Sequence, residues 1–181
     1  VGVAEGTYAE RVTVPSYVRL VGSGPEATTI DAGGAGSAVT IDGAVQAEVS
    51  GFTLQGAASD GAGVDVKGAS NDITITRNVI RGNASRAVRF AGRSSGALTF
   101  NTIVENTGAG VLADGAAAWV DAQSNIISGN AAGLRAVSGG LIRNDYNLLN
   151  NTMNVDGVAA GENTVSGDPA FAGAGHYIIT D

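Results

Sequence analysis

The chain has 181 residues, the length of one domain, and its 44% of hydrophobic residues suffices for a core although only 5% of residues are aromatic. A net charge of −7 excludes a broad basic face, so nucleic acid is not an expected partner and an anionic membrane surface is disfavoured. Cys is absent, which excludes a disulfide or thiolate–metal framework, and no apolar run reaches the length of a spanning helix, so no membrane insertion is expected.

Residues 1–31 read as short strands separated by corners. Val12 alternates with Val14 and Val18 with Leu20; Pro15 and Ser16 mark the turn between them, and Gly22, Gly24 and Pro25 mark the next. From residue 39 onward one pattern recurs. An apolar column runs Val39, Val64, Val88, Val111, Leu134, Val155, in steps of 25, 24, 23, 23 and 21 residues. A second column runs Phe52, Asn78, Asn101, Asn125, Asn147, in steps of 26, 23, 24 and 22. A third lies five residues further on: Ala57, Asn83, Asn106, Asn130, Thr152. Three independent columns share one drifting period, which is the signature of a repeat architecture.

Within each repeat the apolar residues alternate, as in Ile73-x-Ile75, Val64-x-Val66 and Val88-x-Phe90, the two-residue period of a strand with one buried face. No window carries the i, i+3, i+4, i+7 spacing of an amphipathic helix. Short strands without crossover helices cannot build βαβ units, so the chain is expected to wind into a solenoid, each coil stacked on the last at about 4.8 Å. The expected fold is all-β: a right-handed parallel β-helix of about seven coils, forming a single domain over residues 1–181. Asn78, Asn83, Asn101, Asn106, Asn125, Asn130 and Asn147 are then expected at corners, where Asn tolerates left-handed geometry and identical amides stack into a ladder. Sugar binding by these amides is the competing reading.

The opening order G-T-Y-x-E-x-V-x-V, then V-x-L-x-G-x-G, then T-x-I-D, resembles the first coils of right-handed parallel β-helix proteins of the pectin-lyase-like superfamily, secreted and surface proteins of bacteria among them. Residues 49–152 are similar to that superfamily's generic repeats. Residues 145–181, with DYNLLNN, SGDPAF and HYIITD, resemble the last coils of bacterial β-helix surface proteins. The resemblance implies an extracellular or cell-surface location. The chain begins at Val1 without Met and ends in mid-pattern at Asp181, so it is expected to be a piece of a longer protein.

Candidate site residues cluster in the middle repeats. Asp65 and Arg89 lie 24 residues apart in one outward column and are expected as neighbours on adjacent rungs, with Lys67 and Arg86 beside them. They form either a surface charge pair or a patch that binds the carboxylates of acidic sugars. Trp119, in AAAWVDAQ, is expected in the core or at a coil end; exposed, it would stack on a sugar ring. His176 is the only His and is read as incidental.

Enzymes of the superfamily carry recognisable signatures. The N-T-D, D-D, G-H-G and R-I-K set of polygalacturonases is absent, and no two Asp are adjacent, whereas acid/base glycoside hydrolysis needs paired carboxylates. The D-F-I-F-G strand of pectin methylesterases is absent too. Asp60, Asp65 and Asp72 with Arg86 or Arg89 imitate a calcium-dependent lyase site, but Asp60 and Asp72 are expected at corners. The reading is therefore a non-catalytic module of an exported bacterial protein, structural, adhesive or assembly-forming, with no cofactor and no metal. Its expected partners are polysaccharide or a second copy joined through coil ends. The alternative is a lyase or hydrolase acting on acidic polysaccharide, in which case calcium is implied.

Overall fold

The computed structural model describes residues 1–173 together with Tyr177. The chain winds into three parallel sheets, and no helix occurs among the described residues. Sheet A takes the first strand of every coil: Gly2–Val3, Arg19–Gly22, Glu48–Ser50, Ile73–Thr76, Ser95–Thr99, Trp119–Gln123 and Leu141–Asp145. Sheet B takes the second: Gly6–Tyr8, Thr28–Asp31, Thr53–Gln55, Val79–Arg81, Thr102–Val104, Ile126–Ser128 and Leu148–Asn150, with Val165–Ser166 opening an eighth coil. Sheet C takes the third: Val12–Thr13, Val39–Asp42, Ala62–Lys67, Arg86–Ala91, Ala109–Asp114, Ala132–Val137 and Met153–Asp156. These make seven full coils, in line with the about seven expected from the repeat.

Alternation decides which side chains enter the core. Ile73 and Ile75 point inward and are buried, while Thr74 and Thr76 stay half-exposed outside. The apolar column of the sequence is one stack in sheet C, where Val39, Val64, Val88, Val111, Leu134 and Val155 pair rung to rung. In sheet B, Leu54, Ile80, Ile103, Ile127 and Leu149 stack likewise. The interior is a narrow column of aliphatic side chains with few aromatics, Phe52 and Phe90 being the largest.

The corners are closed by left-handed residues. Gly51, Arg77, Phe100, Ser124 and Tyr146 all have positive φ and immediately precede the positions Phe52, Asn78, Asn101, Asn125 and Asn147. The sharp bend from sheet A to sheet B therefore recurs at one place in successive coils. Tyr177, near the end of the chain, lies against the middle coils of sheet B: its hydroxyl donates to Glu105 Oε2 at 2.6 Å, the Arg81 guanidinium sits 5.9 Å over its ring, and Phe171 meets it edge-on. Burial and the Glu105 hydrogen bond raise the Tyr177 phenol above its ordinary range. His176 lies outside the described residues.

Candidate functional site

Two files of carboxamides run through the structure. In the first, Asn78 Nδ2 donates to Asn101 Oδ1, Asn101 to Asn125 and Asn125 to Asn147, at 3.0–3.1 Å. Each of those oxygens also accepts the backbone N–H of the Asn one coil before. In the second file Asn83, Asn106 and Asn130 are joined in the same way. All seven expected ladder residues are buried and bond their neighbours, which occupies the donors and acceptors that sugar binding would need. The second file passes to Asn151, not to Thr152, and on to Asn154: Asn130 donates to Asn151 Oδ1 at 2.9 Å, and Asn151 Nδ2 to Asn154 Oδ1 at 3.3 Å. The last coil is shorter, so the corner arrives one residue earlier than the five-residue offset implies.

The four candidate residues of sheet C are only partly brought together. Asp65 pairs in register with Arg89, and their column continues through Leu112 and Arg135 to Asp156. Asp65 Oδ1 stands 3.7 Å from Arg89 Nη1, and Lys67 Nζ stands 3.8 Å from Asp65 Oδ2. These are ion-pair distances outside hydrogen-bond reach. Asp65 is only 7% exposed, and neither its Oδ1 nor Arg89 Nε has a hydrogen-bond partner. Arg86 faces elsewhere: its Nε and Nη2 donate to the carbonyls of Gly61 and Asp60, bracing the corner that leads into the previous coil's sheet C strand. Asp60 is itself at that turn, and Asp72 adopts a positive φ at another, so the acids that would imitate a lyase site are dispersed as expected.

Two acids join the cluster that sequence reasoning passed over. Asp114 lies 4.0 Å from Arg89 Nε, and Asp156 pairs with Arg135 at 3.0 Å. The signal was present: Asp114 follows Val111 by three residues as Lys67 follows Val64, and Asp156 follows Val155 as Asp65 follows Val64. The column thus carries a carboxylate–cation pair at each end, Asp65 with Arg89 and Arg135 with Asp156, with the apolar group Ala109, Leu112 and Ala132 between Arg89 and Arg135. Chemically this face offers charge pairing. An acid/base couple needs two carboxyl groups flanking an open bond site, and here Arg89 stands between the two acids it contacts. Among the described residues no group of three His, Cys, Asp or Glu gathers where it could hold a metal ion, so the calcium of the lyase reading has no donor set there.

Sheet A presents a different surface. Two tight charge pairs cross its rungs. Arg19 holds Glu48 through contacts of 2.6 and 3.2 Å, and Arg143 forks onto both oxygens of Asp121. The Arg19 hydrogen bond, helped by Ser50, keeps the Glu48 carboxyl below its ordinary range. Asp145 is lowered by the Asn163 backbone N–H. Trp119 is 40% exposed on this face, which corrects its expected placement in the core or at a coil end. Val120 and Ala122 take the inward positions of that strand, so parity sends Trp119 out.

Residues 26–169 match the family described as right handed beta helix region. No curated protein matches the chain. Among solved structures it is similar to ORF18 of Geobacillus virus E2, with a TM-score of 0.63 and 17% identity over 81% of this chain, which spans 32% of the viral protein's length. At that identity the likeness concerns the fold alone. With most of its length matched and its strands stacked in three parallel sheets, the chain belongs to the right-handed β-helix family.

Proposed function

We propose that the chain is a non-catalytic β-helical module of an exported bacterial surface or extracellular protein, a rigid rod that presents flat faces for adhesion or assembly. The observation that carries this reading is the pairing of charges between rungs. Asp65 with Arg89, Asp121 with Arg143, Arg135 with Asp156 and Arg19 with Glu48 each link two coils. Carboxylates used in this way support a scaffold more readily than they serve proton transfer. The solenoid adds to the argument, because each coil contacts only its neighbours and an unpaired terminal rung is a template for another chain. Self-association through coil ends is the form of assembly proposed.

The test is incubation with pectate, alginate and glycosaminoglycans, with and without calcium, followed by assay of reducing ends and unsaturated products. No release is expected. Turnover abolished by Arg89→Ala would replace this reading with a polysaccharide lyase or hydrolase acting through the Asp65–Arg89 face.

A further inference from the structure

We infer that the C-terminal tail is a latched strap: residues 167–173 and Tyr177 close over an apolar stripe on the outer face of sheet B, Tyr177 is the bolt, and the strap opens as a unit while the coils beneath it stay folded. The inference concerns a moving part of the chain and stands whether or not the stack is catalytic.

The outward columns of sheet B change character along the stack. In the second and third coils they are polar, Thr29 pairing with Thr53 and Asp31 with Gln55. From the fourth coil onward every rung carries an outward aliphatic residue: Val79, Val104, Ile126, Leu148 and Val165. Left bare, such a stripe on a sheet face is a liability in water. Its centre is covered. Ile103 points into the interior, so parity turns Val104 outward, yet Val104 is only 1% exposed. Ser128, its partner one rung on, is 8% exposed. The tail is anchored on both sides of these two residues. At one end the Gly167 N–H donates to the Leu149 carbonyl at 3.2 Å. At the other, Tyr177 bonds Glu105, which follows Val104, and meets Arg81, which pairs with Val104 in register. Between the anchors Pro169 is buried and Phe171 half-buried. The tail thus travels from the eighth coil back to the fourth and fifth, and the stripe begins where the tail's reach does.

The hold on the strap differs in kind from the hold on a coil. A coil contacts its neighbours through ladders in three sheets. Along residues 167–173 the backbone is tied to the stack at Gly167, and the Ala170 N–H closes locally on Asp168 Oδ1. Beyond that point the described contacts are made by side chains: the Tyr177 hydroxyl on Glu105, the Arg81 guanidinium over the ring, and Phe171 against its edge. Segments with few backbone bonds to their surroundings open at a far smaller free energy than the elements they cover. All three side-chain contacts converge on Tyr177, so releasing that one residue releases the strap. The hydrogen bond to Glu105 is also a contact across 72 positions of sequence, in a fold whose other bonds join adjacent coils.

Limited chymotrypsin cleavage after Phe171 in the full chain reads the opening, because a bond held against the sheet is cut from the open form. Tyr177→Phe keeps the ring and removes the hydroxyl bond; it should raise the cleavage rate about ten-fold. Tyr177→Ala should raise it further, and the melting temperature of the stack should stay at the wild-type value in both variants. Glu105→Ala should match Tyr177→Phe and add nothing to it in the double variant. Binding of the dye anilinonaphthalene sulfonate should increase in Tyr177→Ala and fall back in Tyr177→Ala/Ile126→Ser, which makes the uncovered stripe polar. Cleavage at the wild-type rate in both Tyr177 variants, or dye binding that ignores Ile126→Ser, would overturn the inference. So would a Tyr177→Phe variant whose melting temperature falls as its cleavage rises, because strap and coils would then open as one.

Discussion

Replacing Asn101 tests whether the amide files or the aliphatic interior hold successive coils in register. The Asn101 Nδ2 donates to the carbonyls of Ile75 and Thr99 at 2.9 and 3.0 Å and to Asn125 Oδ1 at 3.1 Å. Its Oδ1 accepts both the backbone N–H and the Nδ2 of Asn78 at 3.1 Å. Asn101→Ala removes all five contacts at a buried site. At about 1 kcal/mol net per hydrogen bond, with some sharing because one NH2 serves three acceptors, the expected loss is about 3–5 kcal/mol. That is a large part of the 5–15 kcal/mol typical of a whole domain. Asn101→Asp is nearly isosteric and should cost more at neutral pH, because a carboxylate cannot donate and would face three oxygens. Its folded pKa should lie above the unfolded value of about 3.9, so the stability of this variant should be highest below pH 4 and fall as pH rises through the folded value. Urea unfolding followed by far-UV circular dichroism and by the fluorescence of Trp119, the chain's one Trp, measures both effects. Thr102→Ala on the outside of sheet B serves as the control and should stay within about 0.5 kcal/mol. A loss below about 1 kcal/mol for Asn101→Ala would refute the reasoning and assign registration to the aliphatic stack.

Three further outcomes follow from the geometry. Gly110→Ala should destabilise by about 1–3 kcal/mol in thermal melts, because its Cβ would come within 2.7 Å of Ile127 Cγ2 and 2.8 Å of the Gly133 carbonyl. Glu48→Gln should flatten the acid limb of the stability–pH curve: a carboxyl held below its ordinary 4.5 contributes stability above that pH and loses it as pH falls through the folded value, whereas Gln does not titrate. A double-mutant cycle on Asp65 and Arg89 should give a coupling below about 1 kcal/mol, as their 3.7 Å contact implies; a coupling above about 3 kcal/mol would reveal a tightly bonded buried pair.

The sheets were legible because the repeat writes the same parity into every coil. Val64, Val88 and Val111 fix the register of sheet C, and that register brings Asp65 to Arg89. The ladder was legible because Asn favours corners, and its return once per coil at two positions places those corners one above another. What escaped was local. Trp119 obeys the parity of its strand and not the average behaviour of its residue type, since Val120 and Ala122 already claim the inward positions. Thr152 loses its place to Asn151 because corner length changes with the shrinking period, and a fixed offset cannot follow that change. Phe100 and Tyr146 give no hint of left-handed geometry by residue type; only their alignment with Gly51, each just before a ladder position, discloses it. The ligand-recognition candidates are hard to see for a related reason, since the fold's rules govern inward residues and leave outward ones to selection by partners.

The amide files also have a direction. Every Oδ1 accepts from the coil before it, and every backbone N–H donates to the coil after it, so the dipoles of each file add along the axis and do not cancel. At the low-numbered end the first file closes on the Phe52 N–H; at the high-numbered end Asn147 offers a donor that Thr164 Oγ1 receives. Whatever precedes such a file must supply donors, and whatever continues it must supply acceptors. A segment grafted in reverse would set like poles against each other.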